Sequence, residues 1–137
     1  MKRIDDLQYE NLKIIQDTEG FRFGVDSVLL TEFARDIKPG STIVDLGTGN
    51  GILSILLCKK VKPKKIIGIE KQEKVYKLCE ENIKLNNLEN QFEIIKSDIK
   101  DVIQRKDKEV QESENKVDGY MKERRKFKFC WRDSVWN

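Results

Sequence analysis

Histidine is absent from the chain, and cysteine is held to three residues, Cys58, Cys79 and Cys130, far apart and odd in number. Such a set cannot complete a zinc site of four Cys and His ligands or pair off into a disulfide framework, so the thiols read as reduced and buried. No apolar run is long enough to span a bilayer, and residues 1–6 are polar, without the apolar stretch of a signal peptide. These absences predict a cytoplasmic protein with no membrane partner. Charge of a single sign is missing as well: 37% of the 137 residues are charged, yet the formal net charge is only +3, so no strong field drives binding to a polyanion. No internal repeat is present. The length predicts one domain, near the lower limit for a wound α/β fold.

What is present centres on residues 43–51, Ile-Val-Asp-Leu-Gly-Thr-Gly-Asn-Gly, which run directly into the apolar stretch Ile-Leu-Ser-Ile-Leu-Leu-Cys. A β-branched run that ends in an acid, breaks into alternating glycines and restarts as a helix is a strand–loop–helix turn built to hold a ligand. Without Cβ atoms, Gly47, Gly49 and Gly51 allow positive φ and close backbone approach, and the next helix aims its free N–H groups at the same place. Asp45 sits where ligands of open α/β sheets collect. The dinucleotide fingerprint is Gly-x-Gly-x-x-Gly; here an acid stands two residues before the first of three alternating glycines, which disfavours a pyrophosphate and favours a cationic or neutral nucleoside.

Around this loop the chain reads as a βαβ series. Residues 12–16 and 21–23 alternate as two short strands about a turn, predicting an N-terminal hairpin. A helix follows from Asp26 as N-cap, with Val25, Val28, Leu29, Phe33 and Ile37 at helical spacing, and residues 38–40 close it. Strands are predicted at 42–46, 65–70 and 92–96, with a buried helix at 52–60 and an amphipathic one at 72–86 that turns Val75, Leu78, Cys79, Ile83 and Leu85 inward. Asp45, Glu70 and Asp98 then stand at successive strand tips, and Glu70, about 25 residues beyond Asp45, is placed to reach a ribose hydroxyl pair. Residues 104–116 hold a single apolar side chain and read as a charged linker. Residues 117–137 form an atypical tail, basic at 122–128 and carrying both tryptophans, Trp131 and Trp136. The fold class is therefore α/β, a Rossmann-like parallel sheet with flanking helices over residues 1–103, its sheet incomplete.

The run Asp45-Leu46-Gly47-Thr48-Gly49-Asn50-Gly51, with Glu70 and Ser97-Asp98, resembles the cofactor site of the class I S-adenosylmethionine-dependent methyltransferases. By that resemblance S-adenosyl-L-methionine is the cofactor. Asp45, Gly47, Thr48, Gly49 and Gly51 lie along its amino-acid part, Glu70 binds the ribose, and Asp98 with the Ile99 backbone meets the adenine. Within the class, residues 7–30, above all Phe21-Arg22-Phe23-Gly24-Val25-Asp26-Ser27-Val28-Leu29-Leu30, are similar to the N-terminal segment of the tRNA-valine adenine-N6 methyltransferases and related small-domain methyltransferases, which implies tRNA as a partner.

That family carries Asn-Pro-Pro-Tyr at the tip of its fourth strand, where the target amine is held, and no such motif occurs in this chain. Tyr120 is no substitute, so no catalytic residue is assigned, and cofactor binding is expected ahead of turnover. A non-enzymatic fragment that binds S-adenosylmethionine or a partner is the alternative, and a nicotinamide oxidoreductase is disfavoured by the glycine spacing. Stopping after three strands leaves one edge of the first strand bare. Residues 126–131, which alternate, are expected to cover it in the same chain or in a homodimer.

Overall fold

The computed structural model describes residues 1–20 and 25–104. Strands β1 (Lys2–Asp6) and β2 (Lys13–Asp17) form an antiparallel hairpin. Helix α1 (Val25–Phe33) and a 3-10 turn (Ala34–Asp36) lead to β3 (Thr42–Leu46), α2 (Ile52–Lys60), β4 (Lys65–Glu70), α3 (Glu73–Leu85), β5 (Phe92–Lys96) and α4 (Ile99–Gln104). Strands β3, β4 and β5 are parallel in that order, with Asp45, Gly68 and Ile94 in one rank.

The β-branched runs make these strands, and their alternation sorts the side chains onto two faces. Ile43, Ile66 and Phe92 look toward α2 and α3 and join Ile52, Ile55, Leu56, Cys79 and Ile83 in the main core. Leu46, Ile67 and Ile69 look the other way, against Ile95, Ile99 and Val102. Helix α2 buries Ile52, Ser54, Ile55, Leu56, Leu57 and Cys58, as an element apolar on most faces must. Asn86 caps α3 and Asn87 turns the chain away at φ 54°, a conformation asparagine tolerates. Among the described residues no helix is long and apolar enough to cross a membrane.

The N-terminal region departs from expectation in two ways. The hairpin partner of β2 is β1, a polar stretch with no sequence signal, whereas residues 21–23 lie outside the described residues. In α1, Asp26 is in the first turn and not the cap, and of the expected apolar positions Val28, Leu29 and Phe33 are exposed, Phe33 by 78%, whereas Ile37, beyond the helix, packs against the main core. Ser27 and Thr31 are buried instead. The reason is a cation at the α1–α2 contact. Lys60 Nζ donates to Thr31 Oγ1 at 2.9 Å and to Glu32 at 2.6 Å, and lies 5.3 Å over the Tyr9 ring. A largely buried ammonium needs oxygen partners, and the inward face of α1 supplies them in Thr31 and Glu32. Leu85, expected inward on α3, is likewise exposed, and buried Asn82 takes a place on that face.

Burial pushes the Cys58 thiol up to about 12. The Cys79 thiol is raised further, by burial first and then by the carboxylates of Asp45, Glu70 and Glu80. At pH 8 the reactive thiolate of Cys58 is on the order of one molecule in ten thousand. Iodoacetamide applied to the native protein at pH 8, followed by peptide mass mapping, is expected to leave both residues unmodified, while 6 M guanidinium exposes them. Fast native labelling of Cys79 would show that α3 opens away from the glycine loop.

The expected linker at 104–116 and tail at 117–137, with Cys130, Tyr120 and the edge-covering segment 126–131, fall outside the described residues, save that α4 ends at Gln104.

Candidate functional site

The loop between β3 and α2 is fixed from several directions. The N–H groups of Gly47 and Thr48 both donate to the Ile69 carbonyl, at 2.9 and 3.0 Å, so the loop folds over the end of β4. Gly68 makes room for this: a Cβ there would stand 2.8 Å from Thr48 Cγ2 and 2.9 Å from the Phe92 ring. The φ values of Gly47, Gly49 and Gly51 are +72°, +63° and +87°, a region that costs other residues roughly 1–2 kcal/mol.

Asp45 does not project from the strand tip. It is 5% exposed and faces the helix side of the sheet, where its Oδ2 accepts the Thr48 hydroxyl at 2.8 Å and the Ser54 hydroxyl at 2.6 Å. The carboxylate thus braces the loop and the first turn of α2 from beneath. Glu70 Oε2 accepts the Gly49 N–H at 3.1 Å, and its Oε1 accepts the Gln72 N–H at 2.8 Å. The Ser97 N–H donates to the Glu70 carbonyl at 3.0 Å, which ties the ends of β4 and β5 together. Asp98 forms an ion pair with Lys71 at 2.9 Å and accepts the Lys100 N–H at 2.9 Å. Lys71 first, then that N–H, holds the Asp98 carboxyl below its ordinary range.

The eight residues assigned from sequence therefore fall into three groups. Gly47, Gly49, Glu70 and Ile99 lie on one side of the loop: among the described residues, a Cβ on Gly47 would meet Ile99 Cδ1, at 3.9 Å, and a Cβ on Gly49 would meet the Gly47 carbonyl, at 4.0 Å. Asp45, Thr48 and Gly51 lie beneath. A Cβ on Gly51 would press on Cys79 Sγ at 2.7 Å and Phe92 at 3.0 Å, so close packing requires a glycine here. Asp98 stands at the rim, paired with Lys71.

Sequence reasoning missed Ser54, Asn50 and Asn82. Ser54 and Asn82 are fully buried polar residues on otherwise apolar helix faces, and that interruption was the available signal. Asn50 Oδ1 accepts the Ile52 N–H at 3.2 Å at the start of α2, a habit of asparagine before a helix.

A family model described as the TRM5/TYW2 methyltransferase domain matches residues 30–128. A ribosomal protein L11 methyltransferase of Caldicellulosiruptor bescii is 33% identical over 101 residues, 70% of this chain and 32% of that protein. The crystal structure of M. jannaschii TYW2 in complex with AdoMet aligns with TM-score 0.62 and 28% identity, over 73% of this chain and 45% of that one. P. horikoshii TYW2 in complex with MeSAdo aligns with TM-score 0.59 and 27% identity, over 67% and 35%. The chain spans about a third of the length of this curated relative.

Proposed function

The chain belongs to the TRM5/TYW2 methyltransferase domain family, and we propose that its glycine loop binds S-adenosylmethionine as a methyl donor. The observation that carries this reading is the placement of Gly47 and Gly49, both at positive φ, beside Ile99 and the carboxylate of Glu70. The residues fit a nucleoside of this kind. Neither glycine has a Cβ to hold a ligand off the backbone, Ile99 offers an apolar surface, and Glu70 keeps lone pairs free beyond its two backbone bonds, enough to accept ribose hydroxyls. When bound, S-adenosylmethionine supplies a methyl group on a sulfonium for in-line transfer to a nucleophile. Gly47 and Gly49 would lie along its amino-acid part and Glu70 would hold the ribose. Ile99 would rest against the adenine, with Asp98 beside it. Asp45 acts from below by holding the loop in shape, so its part is that of a positioning residue. Orientation of donor and acceptor supplies most of the rate in such a transfer.

Calorimetric titration with S-adenosylhomocysteine tests the site. Wild type is expected to bind, and Glu70→Ala to bind about tenfold or more weakly, the worth of hydrogen bonds to a charged acceptor. Equal affinity in the two proteins would remove Glu70 from the site.

For the acceptor, residues 21–30 support an adenine amine in tRNA, whereas the family that matches residues 30–128 is a different branch of methyltransferases. A binding-only role is the second reading. Incubation with labelled cofactor separates them: label in bulk tRNA supports the first, label in ribosomal protein moves the acceptor to protein, and binding without transfer supports the second.

A further inference from the structure

Asn82 in helix α3 and Asn86 at its C-cap stand one turn apart, and both side-chain amides reach the backbone of β2. Asn86 Oδ1 accepts the Lys13 N–H at 2.8 Å, and its Nδ2 donates to the Lys13 carbonyl at 2.7 Å. Asn82 repeats the pattern two residues along the strand: its Oδ1 accepts the Ile15 N–H at 2.6 Å and its Nδ2 donates to the Ile15 carbonyl at 3.1 Å. Spacing of four on a helix thus matches spacing of two on a strand, and a row of side-chain amides takes the place of a neighbouring strand.

Asn82 does one thing more. Its second Nδ2 hydrogen goes to the Asn50 carbonyl at 2.9 Å, inside the glycine loop. With no exposed surface, the amide has no water to fall back on. The peptide between Asn50 and Gly51 has little intrinsic preference of its own, because glycine lies beyond it and leaves the unit free to turn. Both ends of that peptide are held in the structure: the carbonyl by Asn82, and the Gly51 N–H by the Thr48 carbonyl at 3.0 Å.

We infer that Asn82 is a positioning residue of the cofactor loop, and that through it the N-terminal hairpin sets the loop's shape. The inference rests on the cofactor reading only where affinity is measured. Asn86 is the internal control: it holds the same strand by two bonds and donates to the main-chain carbonyl of Asn82 at 2.8 Å, but among the described residues it makes no bond to the loop.

The test compares Asn82→Ala and Asn86→Ala by amide hydrogen exchange and by titration with S-adenosylhomocysteine. In Asn82→Ala the Gly51 amide is expected to exchange about tenfold faster and affinity to fall about tenfold, the loss of one hydrogen bond from the loop. Asn86→Ala is expected to lower the Tm while leaving both quantities within about twofold of wild type. Equal effects of the two variants, or an unchanged Gly51 amide in Asn82→Ala, would overturn the inference. If wild type does not bind S-adenosylhomocysteine, the cofactor reading fails, and the exchange comparison still decides the role of Asn82. If Asn82→Ala does not fold, native-state exchange of wild type under rising urea decides it. The Gly51 and Ile15 amides must then share one opening free energy, and separate opening of the two rules the coupling out.

Discussion

Gly51→Ala is expected to destabilise the protein by about 3 kcal/mol in urea unfolding, from two sources that act together. Alanine at φ +87° carries roughly 1–2 kcal/mol of backbone strain. Its Cβ would also press on Cys79 Sγ at 2.7 Å and the Phe92 ring at 3.0 Å, and overpacking of a closed core costs about 1–3 kcal/mol. Both neighbours are themselves buried in the main core and have little room to yield. Shortening one of them by adding Cys79→Ala is expected to return part of the loss. Gly49→Ala makes the contrast: its φ of +63° brings a similar strain, about 1 kcal/mol, but among the described residues the new methyl would meet just the Gly47 carbonyl, at 4.0 Å. That variant is expected to remain folded and to lose affinity for S-adenosylhomocysteine. A Gly51→Ala protein as stable as wild type would mean that α3 packs less closely on the loop than described above.

Asp45→Ala is the second large effect. Removing the carboxylate leaves the Thr48 and Ser54 hydroxyls without the acceptor they share, and both are buried. Hydrogen bonds to a charged group contribute about 1.5–3 kcal/mol each, so a loss of about 3 kcal/mol is expected after partial relaxation. Asp45→Asn keeps the shape, and hydroxyls can turn to suit an amide, so about 1 kcal/mol is expected there. Chemical unfolding of the two variants separates shape from charge. If Asn and Ala are equally damaging, the charge itself holds the loop; if neither matters, the brace is not one.

The parallel sheet and its crossovers were legible because several signals agree there. Residues 42–46, 65–70 and 92–96 are β-branched runs that end at acids or polar turns, and β3, β4 and β5 have those bounds. The loop was legible from its glycines, and Glu70 from its place at the end of β4. The faces of individual residues were harder. Asp45 was read as a strand-tip acid, yet a strand has two sides, and its place in the same rank as Gly68 turns it under the helices. Gly51 was read with the other glycines, although its partners Cys79 and Phe92 are 28 and 41 residues away in sequence and no local pattern announces them. Strand β1 gave no signal because Lys-Arg-Ile-Asp-Asp has no buried face to pattern; it is held by its pairing with β2. In α1 periodicity misled, because the partner surface is the ammonium of Lys60 and not a hydrophobic wall.

The side-chain amides that close β2 also impose an order on folding. The hairpin is a local structure, joined by a short turn, and such units form in about 1–10 μs once their residues are available. Its second edge waits for Asn82, 67 residues later in the chain. During synthesis at about 5–20 residues per second, that interval is on the order of 3–15 s. Throughout it the strand carries the unpaired N–H and C=O groups of Lys13 and Ile15, and once residues 47–51 are made the Asn50 carbonyl waits for the same side chain. The N-terminus made first is therefore among the last parts to reach its final form, and the ligand site matures with it.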